Sequence, residues 1–405
     1  MLPETSTIRR HIVRFALVLA VLGGACTVAR PAAADDYSFY EVSDAELAGA
    51  PGSIIRKEDF RGAPWGMSAY RVLYRSTGLD GEPIAVSAVV LVPTRQAPAE
   101  GWPVVAWAHP TTGVARKCAP SLALDGMWDT VAGLKELAAK DYIIVATDYP
   151  GLGTAGVHPY LVGISEGRAV LDSVRAARNL ASASKQYAVW GHSQGGHAVL
   201  WAGQLAKDYA PELDLVGIAA AAPASELAKL LDDDLGRSSG QVLTALSIWS
   251  WSQVFDAKMA SIVLPDAVKP VGEIGSQCLS GFVDLVVDVS AYATLENGFL
   301  KGDPTTIAPW SGFLTESTPA REKVVWPPVF LAQGTDDTIV DPPVTMNFAL
   351  TLCKQGTDLT FHSVEGATHD NIAFVSAAKA VDWIAERFAG TLPQTDCVAK
   401  NGASH

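Results

Sequence analysis

The chain has 405 residues, of which 49% are hydrophobic, and it carries a formal charge of -13. This is enough apolar material for a large core. The acidic balance excludes nucleic acid and anionic lipid as electrostatic partners, and no CxxC or Cys/His cluster points to a metal.

Arg9, Arg10 and Arg14 precede an apolar run from Phe15 to Ala29, and Ala32-Ala33-Ala34 supplies small residues before Asp35. This layout predicts a signal peptide over residues 1–34, cleaved near Ala34. The run is short for a membrane span of about 20 residues. Lipid attachment at Cys26 is disfavoured by Gly23, three positions upstream. Cleavage removes four Arg and one Glu, taking the charge from -13 to -13 - 3 = -16. The expected location is secreted or periplasmic. Cys118, Cys278, Cys353 and Cys397 then remain, an even set for an oxidising compartment. The sequence allows three pairings of these four; Cys353 with Cys397 would close the smaller loop.

Extended segments follow over Tyr70–Ser76 and Ile84–Val92, the second alternating as a strand does. Short apolar runs at Pro103–Ala108 and Tyr142–Thr147 read as buried strands. Ser165–Asn179 has helical spacing, Tyr187–Trp190 is a strand, Gly195–Lys207 a helix and Leu215–Ala221 a buried strand. The alternation stops over residues 224–325, where Leu230, Leu231, Trp249 and Trp251 lie among small and acidic residues. That stretch reads as a helical cap inserted into the fold. Strand, helix, strand and helix resume at Pro328–Leu331, Pro343–Cys353, Leu359–Val364 and Ala373–Phe388. The pattern predicts an α/β fold: a mostly parallel sheet with helices on both faces, its core formed by residues 35–223 and 326–405. Sites in such folds lie at the carboxyl ends of the strands.

Gly191-His192-Ser193-Gln194-Gly195 fits Gly-x-Ser-x-Gly between a strand and a helix. A serine on so tight a turn needs small neighbours, and the pattern makes Ser193 the candidate nucleophile. A hydroxyl needs a base to take its proton. His369, after the Leu359–Val364 strand, has the chain position for that base; His109, His158, His192, His197 and His362 do not. An acid must orient the base. Asp337, after the Pro328–Leu331 strand, is the first choice, with Asp336 and then Asp341 behind it. The order Ser193, Asp337, His369 is that of α/β-hydrolases. Two donors are expected to face the developing oxyanion: the backbone N–H of Gln194, and one from the His109-Pro110-Thr111-Thr112-Gly113 loop, with Thr112 preferred to Thr111.

Several segments taken together resemble the secretory lipase family. They are Thr111-Thr112-Gly113 with Cys118-Ala119-Pro120-Ser121, Asp148-Tyr149-Pro150-Gly151-Leu152-Gly153, Gly156-Val157-His158-Pro159-Tyr160, and Gly191-His192-Ser193-Gln194-Gly195-Gly196 with the Asp337 and His369 segments. The resemblance implies an α/β-hydrolase fold, a triad of Ser193, Asp337 and His369, a mobile lipophilic cap, and disulfides Cys118–Cys278 and Cys353–Cys397. The expected activity is hydrolysis of carboxylic esters, by a lipase or esterase, through an acyl-enzyme. A serine peptidase or an acyltransferase of the same fold is the alternative. No cofactor is expected. The expected partners are an ester or lipid substrate and, transiently, a lipid interface. Trp249, Trp251 and nearby aliphatics of the cap are expected either to be exposed and bind an acyl chain or to form the cap's own core.

Overall fold

The computed structural model describes residues 37–123, 127–279, 295–296 and 298–397. The leader expected over residues 1–34, with Cys26, lies outside them. The strands are β1 (Ile54–Asp59), β2 (Met67–Thr77), β3 (Pro83–Pro93), β4 (Trp102–Ala108), β5 (Ile143–Thr147), β6 (Ala183–His192), β7 (Asp214–Ala221), β8 (Val329–Gly334) and β9 (Leu359–Val364). They make one sheet in the order β1-β2-β3-β5-β4-β6-β7-β8-β9. The first three strands pair antiparallel, with β3 against β5; from β5 through β9 every pairing is parallel.

The helices are α1 (Asp44–Leu47), α2 (Leu134–Ala139), α3 (Gly163–Leu180), α4 (Gln194–Tyr209), α5 (Leu227–Asp234), α6 (Ser238–Val254), α7 (Val268–Gly275), α8 (Trp310–Ser317), α9 (Pro342–Gln355) and α10 (Ile372–Phe388). Side chains alternate across a strand, so neighbouring residues serve opposite faces. Val105, Trp107, Ala188, Trp190 and Phe330 pack with Val381 and Ile384 of α10. Val104, Ala106, Val189, Ile218 and Leu331 pack with α3, α4 and α9 through Val170, Val174, Val199 and Phe348. Both faces are therefore covered, as the continuous apolar strands predict. Helix ends carry the expected signals: α9 starts on Pro342 and stops at Gly356, whose φ of 86° suits glycine.

The described part of the 224–325 stretch is the set α5, α6, α7 and α8, inserted between β7 and β8. α6 carries apolar residues on all sides, and Ala245, Leu246, Ile248 and Trp251 are buried. No helix among the described residues is long and apolar enough to cross a membrane. Both disulfides are formed, Cys118–Cys278 and Cys353–Cys397, with Cα separations of 5.2 and 5.3 Å.

Parallel register fixes where chemistry can sit. Ala108 stands opposite Gly191, His192 opposite Ala221, and Gly334 opposite Val364. The carboxyl ends of β4, β6, β7, β8 and β9 therefore form one edge, and the loop residues 109–113, 193, 335–341 and 365–371 all leave from it.

Candidate active site

Ser193 joins β6 to α4 at φ 56°, ψ -115°, a conformation in which a side chain is strained. The surroundings hold it there. Its N–H donates to Ala221 O at 3.0 Å, and its carbonyl accepts from the N–H groups of His197 (3.0 Å) and Ala224 (3.2 Å). The small neighbours are a steric requirement. A Cβ on Gly191 would stand 2.2 Å from Gly195 O, one on Gly195 would stand 1.9 Å from Ala108 O, and one on Gly196 would stand 2.8 Å from Pro223.

The loop after β9 brings His369 to this turn. Its Nε2 lies 2.9 Å from Ser193 Oγ, and its Nδ1 lies 2.8 Å from Asp337 Oδ2. A carboxylate only accepts, so Nδ1 carries the proton and Nε2 is left to accept from Ser193. All three side chains are buried. Burial pushes the Asp337 carboxyl up, but His369 and the N–H groups of Ile339 and Val340, each 2.9 Å from Oδ1, outweigh it. The net result is a lowered pKa.

The other acids have other partners. Asp336 accepts the Thr335 hydroxyl at 3.0 Å, and Asp341 takes both terminal nitrogens of Arg237 at 3.0 Å. His192 lies beside His369 with ring centroids 4.9 Å apart and the planes tilted by 41°, and burial and then that neighbour push its pKa down to about 3. Burial also takes His109 to about 4 and His158 to about 3. His362 lies half-buried on β9, lowered by burial and by Lys379.

The loop after β4 packs directly on the elbow, since Gly195 touches Ala108 and His109. It is braced on its far side: Thr112 O accepts from Leu279 N at 2.9 Å, and Gly113 bridges Cys278, whose disulfide runs to Cys118. The Thr111 hydroxyl is spent on Tyr160 Oη at 2.9 Å. The Thr112 hydroxyl is buried with no hydrogen-bond partner. The backbone N–H groups of Thr112 and Gln194 also bond to no acceptor among the described residues. Unspent donors of this kind are what an oxyanion hole would require.

A cavity of about 50 Å³ opens on Ser193 and Gln194. α5 and α6 supply much of its wall, with Leu227, Leu230, Leu231, Leu243 and Trp251. Among the described residues no charged side chain lines it. Trp251 is 2% exposed and donates to Tyr160 O at 2.8 Å, while Trp249 is half-buried against Gly275. Of the two readings of these tryptophans, the structure takes packing for Trp251, which is buried with its N–H bonded and also lines the cavity, while Trp249 is partly exposed.

Sequence reasoning missed one group of residues. Glu166, inside α3, is fully buried and contacts both Gln194 and His197. Its place among charged and apolar residues at helical spacing gave it no signal as an inward-facing acid. No group of three or more His, Cys, Asp or Glu among the described residues is arranged to hold a metal ion.

A family model described as secretory lipase matches residues 129–396. A protein named probable inactive lipase from Mycobacterium tuberculosis is 26% identical over 91% of this chain and 85% of its own length. Lipase A of Moesziomyces aphidis is 25% identical, covering 82% of this chain and 74% of its own. Among solved structures, the closed state of Candida antarctica lipase A aligns with a TM-score of 0.75 at 21% identity, covering 89% of this chain and 87% of that one. That likeness, with the mostly parallel sheet, makes the fold an α/β-hydrolase.

Proposed function

The chain belongs to the secretory lipase family, and on that premise we propose that it is a secreted carboxylic ester hydrolase working through Ser193, His369 and Asp337. One observation carries the reading: Ser193 Oγ, His369 and Asp337 form a continuous buried hydrogen-bond chain of 2.9 and 2.8 Å. A protein named as an inactive lipase is among the relatives, so activity is argued from these side chains and not from kinship.

In this mechanism His369 Nε2 takes the Ser193 proton as Oγ attacks the ester carbonyl. The imidazolium that forms is stabilised by Asp337, whose other oxygen is already held by two amides. The carbonyl oxygen becomes an oxyanion facing the N–H groups of Gln194 and Thr112, with the Thr112 hydroxyl as a further donor. His369 then protonates the leaving alcohol, and water enters by the same relay to release the acid. The uncharged cavity wall favours an acyl chain over a peptide terminus. We assign residues 224–325 as the cap, residues 35–223 and 326–405 as the core, and residues 1–34 as a cleaved leader. Two disulfides fit an exported protein.

The test is hydrolysis of nitrophenyl esters of rising chain length by the wild type, Ser193→Ala and His369→Ala. Wild-type turnover should fall by about three orders of magnitude or more in either variant, because triad members act as a unit. Equal hydrolysis by wild type and Ser193→Ala would refute the assignment of the nucleophile. A near-normal His369→Ala would refute the assignment of the base.

A further inference from the structure

Behind the nucleophile lies a second buried chain of polar groups that the mechanism above does not use. Glu166 and His197 are both fully buried, on α3 and α4. The helices approach closely there because Gly163 and Gly167 offer no side chain; a Cβ on Gly163 would meet the Trp201 ring at 2.0 Å. Glu166 Oε1 accepts from Leu161 N at 2.9 Å and from Gln194 Nε2 at 2.7 Å. Glu166 Oε2 lies 2.7 Å from His197 Nδ1. His197 Nε2 then donates to Ser317 O at 2.8 Å, and Trp201 Nε1 donates to the same carbonyl at 2.9 Å. Ser317 is the last residue of α8, within the cap.

The second proton of the Gln194 amide points to His158 Nε2 at 2.9 Å. That nitrogen must accept, so His158 carries its proton on Nδ1 and donates to Pro150 O at 2.9 Å. The His158 carbonyl accepts from Ser250 Oγ of α6 at 2.6 Å. Two cap helices are thus linked indirectly to the Gln194 side chain, α8 through His197 and Glu166 and α6 through His158. The backbone N–H of Gln194 is the oxyanion donor of the proposed mechanism.

We infer that Glu166 is a positioning residue, which through Gln194 and His197 holds the first turn of α4 in register with cap helix α8 and so couples cap seating to the oxyanion site. The inference rests on the ester-hydrolase reading for its kinetic consequence only. Removing Glu166 leaves two buried donors, Leu161 N and Gln194 Nε2, without this acceptor and His197 Nδ1 without a partner, and lets the Gln194 amide shift. Replacing it by glutamine keeps every contact with one bond reversed: the amide oxygen takes Leu161 N and Gln194 Nε2, and the amide NH₂ donates to His197 Nδ1, which now accepts, while Nε2–H stays on Ser317 O.

The experiment compares Glu166→Leu, Glu166→Gln and Gln194→Met with the wild type. It measures kcat and KM on a short nitrophenyl ester per active site titrated with a phosphonate, and backbone hydrogen exchange by mass spectrometry. Glu166→Leu should lower kcat by about tenfold to a hundredfold, within the cost of a misplaced or lost oxyanion donor. KM should stay within about threefold, because ground-state binding is not the interaction lost. Exchange should quicken at residues 192–198 and 310–317 together. Glu166→Gln should restore both readouts. Gln194→Met cuts only the junction, so kcat should fall while exchange at 310–317 stays as in the wild type. An unchanged kcat per titrated site in Glu166→Leu, equal losses in the Leu and Gln variants, or unaltered exchange at 310–317 in Glu166→Leu would each overturn the inference. Absence of wild-type hydrolysis would count against the ester-hydrolase reading alone; the exchange comparison needs no substrate and decides the coupling by itself.

Discussion

Adding one methyl group at Gly195 gives the sharpest test of how tightly the elbow and the oxyanion loop are set. A Cβ there would lie 1.9 Å from Ala108 O and 2.8 Å from His109 O, both backbone atoms. Real Cβ contacts essentially never fall under 3.0 Å, so the two segments must part by at least 3.0 - 1.9 = 1.1 Å. No rotamer change relieves this, because the obstacle is the end of β4 itself. Gln194 adjoins Gly195 on one side of the gap and the loop carrying Thr112 leaves β4 on the other, so the two donor amides of the proposed mechanism are expected to move apart. A misplacement of about 1 Å costs on the order of a hundredfold in rate. We therefore expect Gly195→Ala to lower kcat about a hundredfold on a short nitrophenyl ester while the protein stays folded. Gly272→Ala is the control, since nothing lies within 4 Å of its Cβ and it sits in helix α7. Full activity in Gly195→Ala, or equal losses in both variants, would refute the reasoning.

The disulfides should separate stability from activity. Cys353–Cys397 spans 44 residues and Cys118–Cys278 spans 160. Loop-closure entropy assigns them about 4 and 5 kcal/mol. Serine substitution of either pair should lower the denaturation midpoint, but only loss of Cys118–Cys278, which braces the Thr112 loop, should also lower kcat; equal kcat in both double mutants would show the brace is idle. Asp148 gives a pH signature. Burial first, against the opposing hydroxyls of Ser121 and Ser87, raises its carboxyl from 3.8 to about 6. A raised folded pKa means stability that is full below the unfolded value and is lost as pH rises through 6, here by ~3 kcal/mol. Urea denaturation from pH 4 to 7 should show this decline in the wild type and not in Asp148→Asn; parallel curves would contradict it.

Much of this architecture was legible because each strand of the parallel half is a nearly unbroken apolar run, and burial on both faces imposes that pattern. Tyr142–Thr147 and Leu359–Val364 were readable for this reason, and the turn motif at Ser193 led to the three side chains that the structure brings together, Ser193, Asp337 and His369. β1 was not. Its Arg56, Lys57, Glu58 and Asp59 lie on an edge strand with half its pairing to solvent, so no period of two is written into it. α6 was readable as helical but not by face, because a helix buried on all sides has no polar stripe. Glu166 was illegible for a different reason. A carboxylate in a helix ordinarily faces water, and only the tertiary approach of α4, allowed by Gly163 and Gly167, turns this one inward. Which carboxylate meets His369 could be ranked from sequence but not decided, since Asp336, Asp337 and Asp341 share one loop and differ only in where that loop points.

The placement of the cap between β7 and β8 also governs the order in which the protein is made. Ser193 and His369 are 176 residues apart. At a synthesis rate of about 5 to 20 residues per second, His369 follows Ser193 from the ribosome by about 9 to 35 s. Once β7 is complete, the strained turn, its helix and seven strands are available, while Asp337 and His369, the proposed acid and base, are still to come. In the proposed mechanism a chain at that stage holds Ser193 without its partners, and these join it only when β8 pairs onto β7 and β9 onto β8, after the insertion has been made.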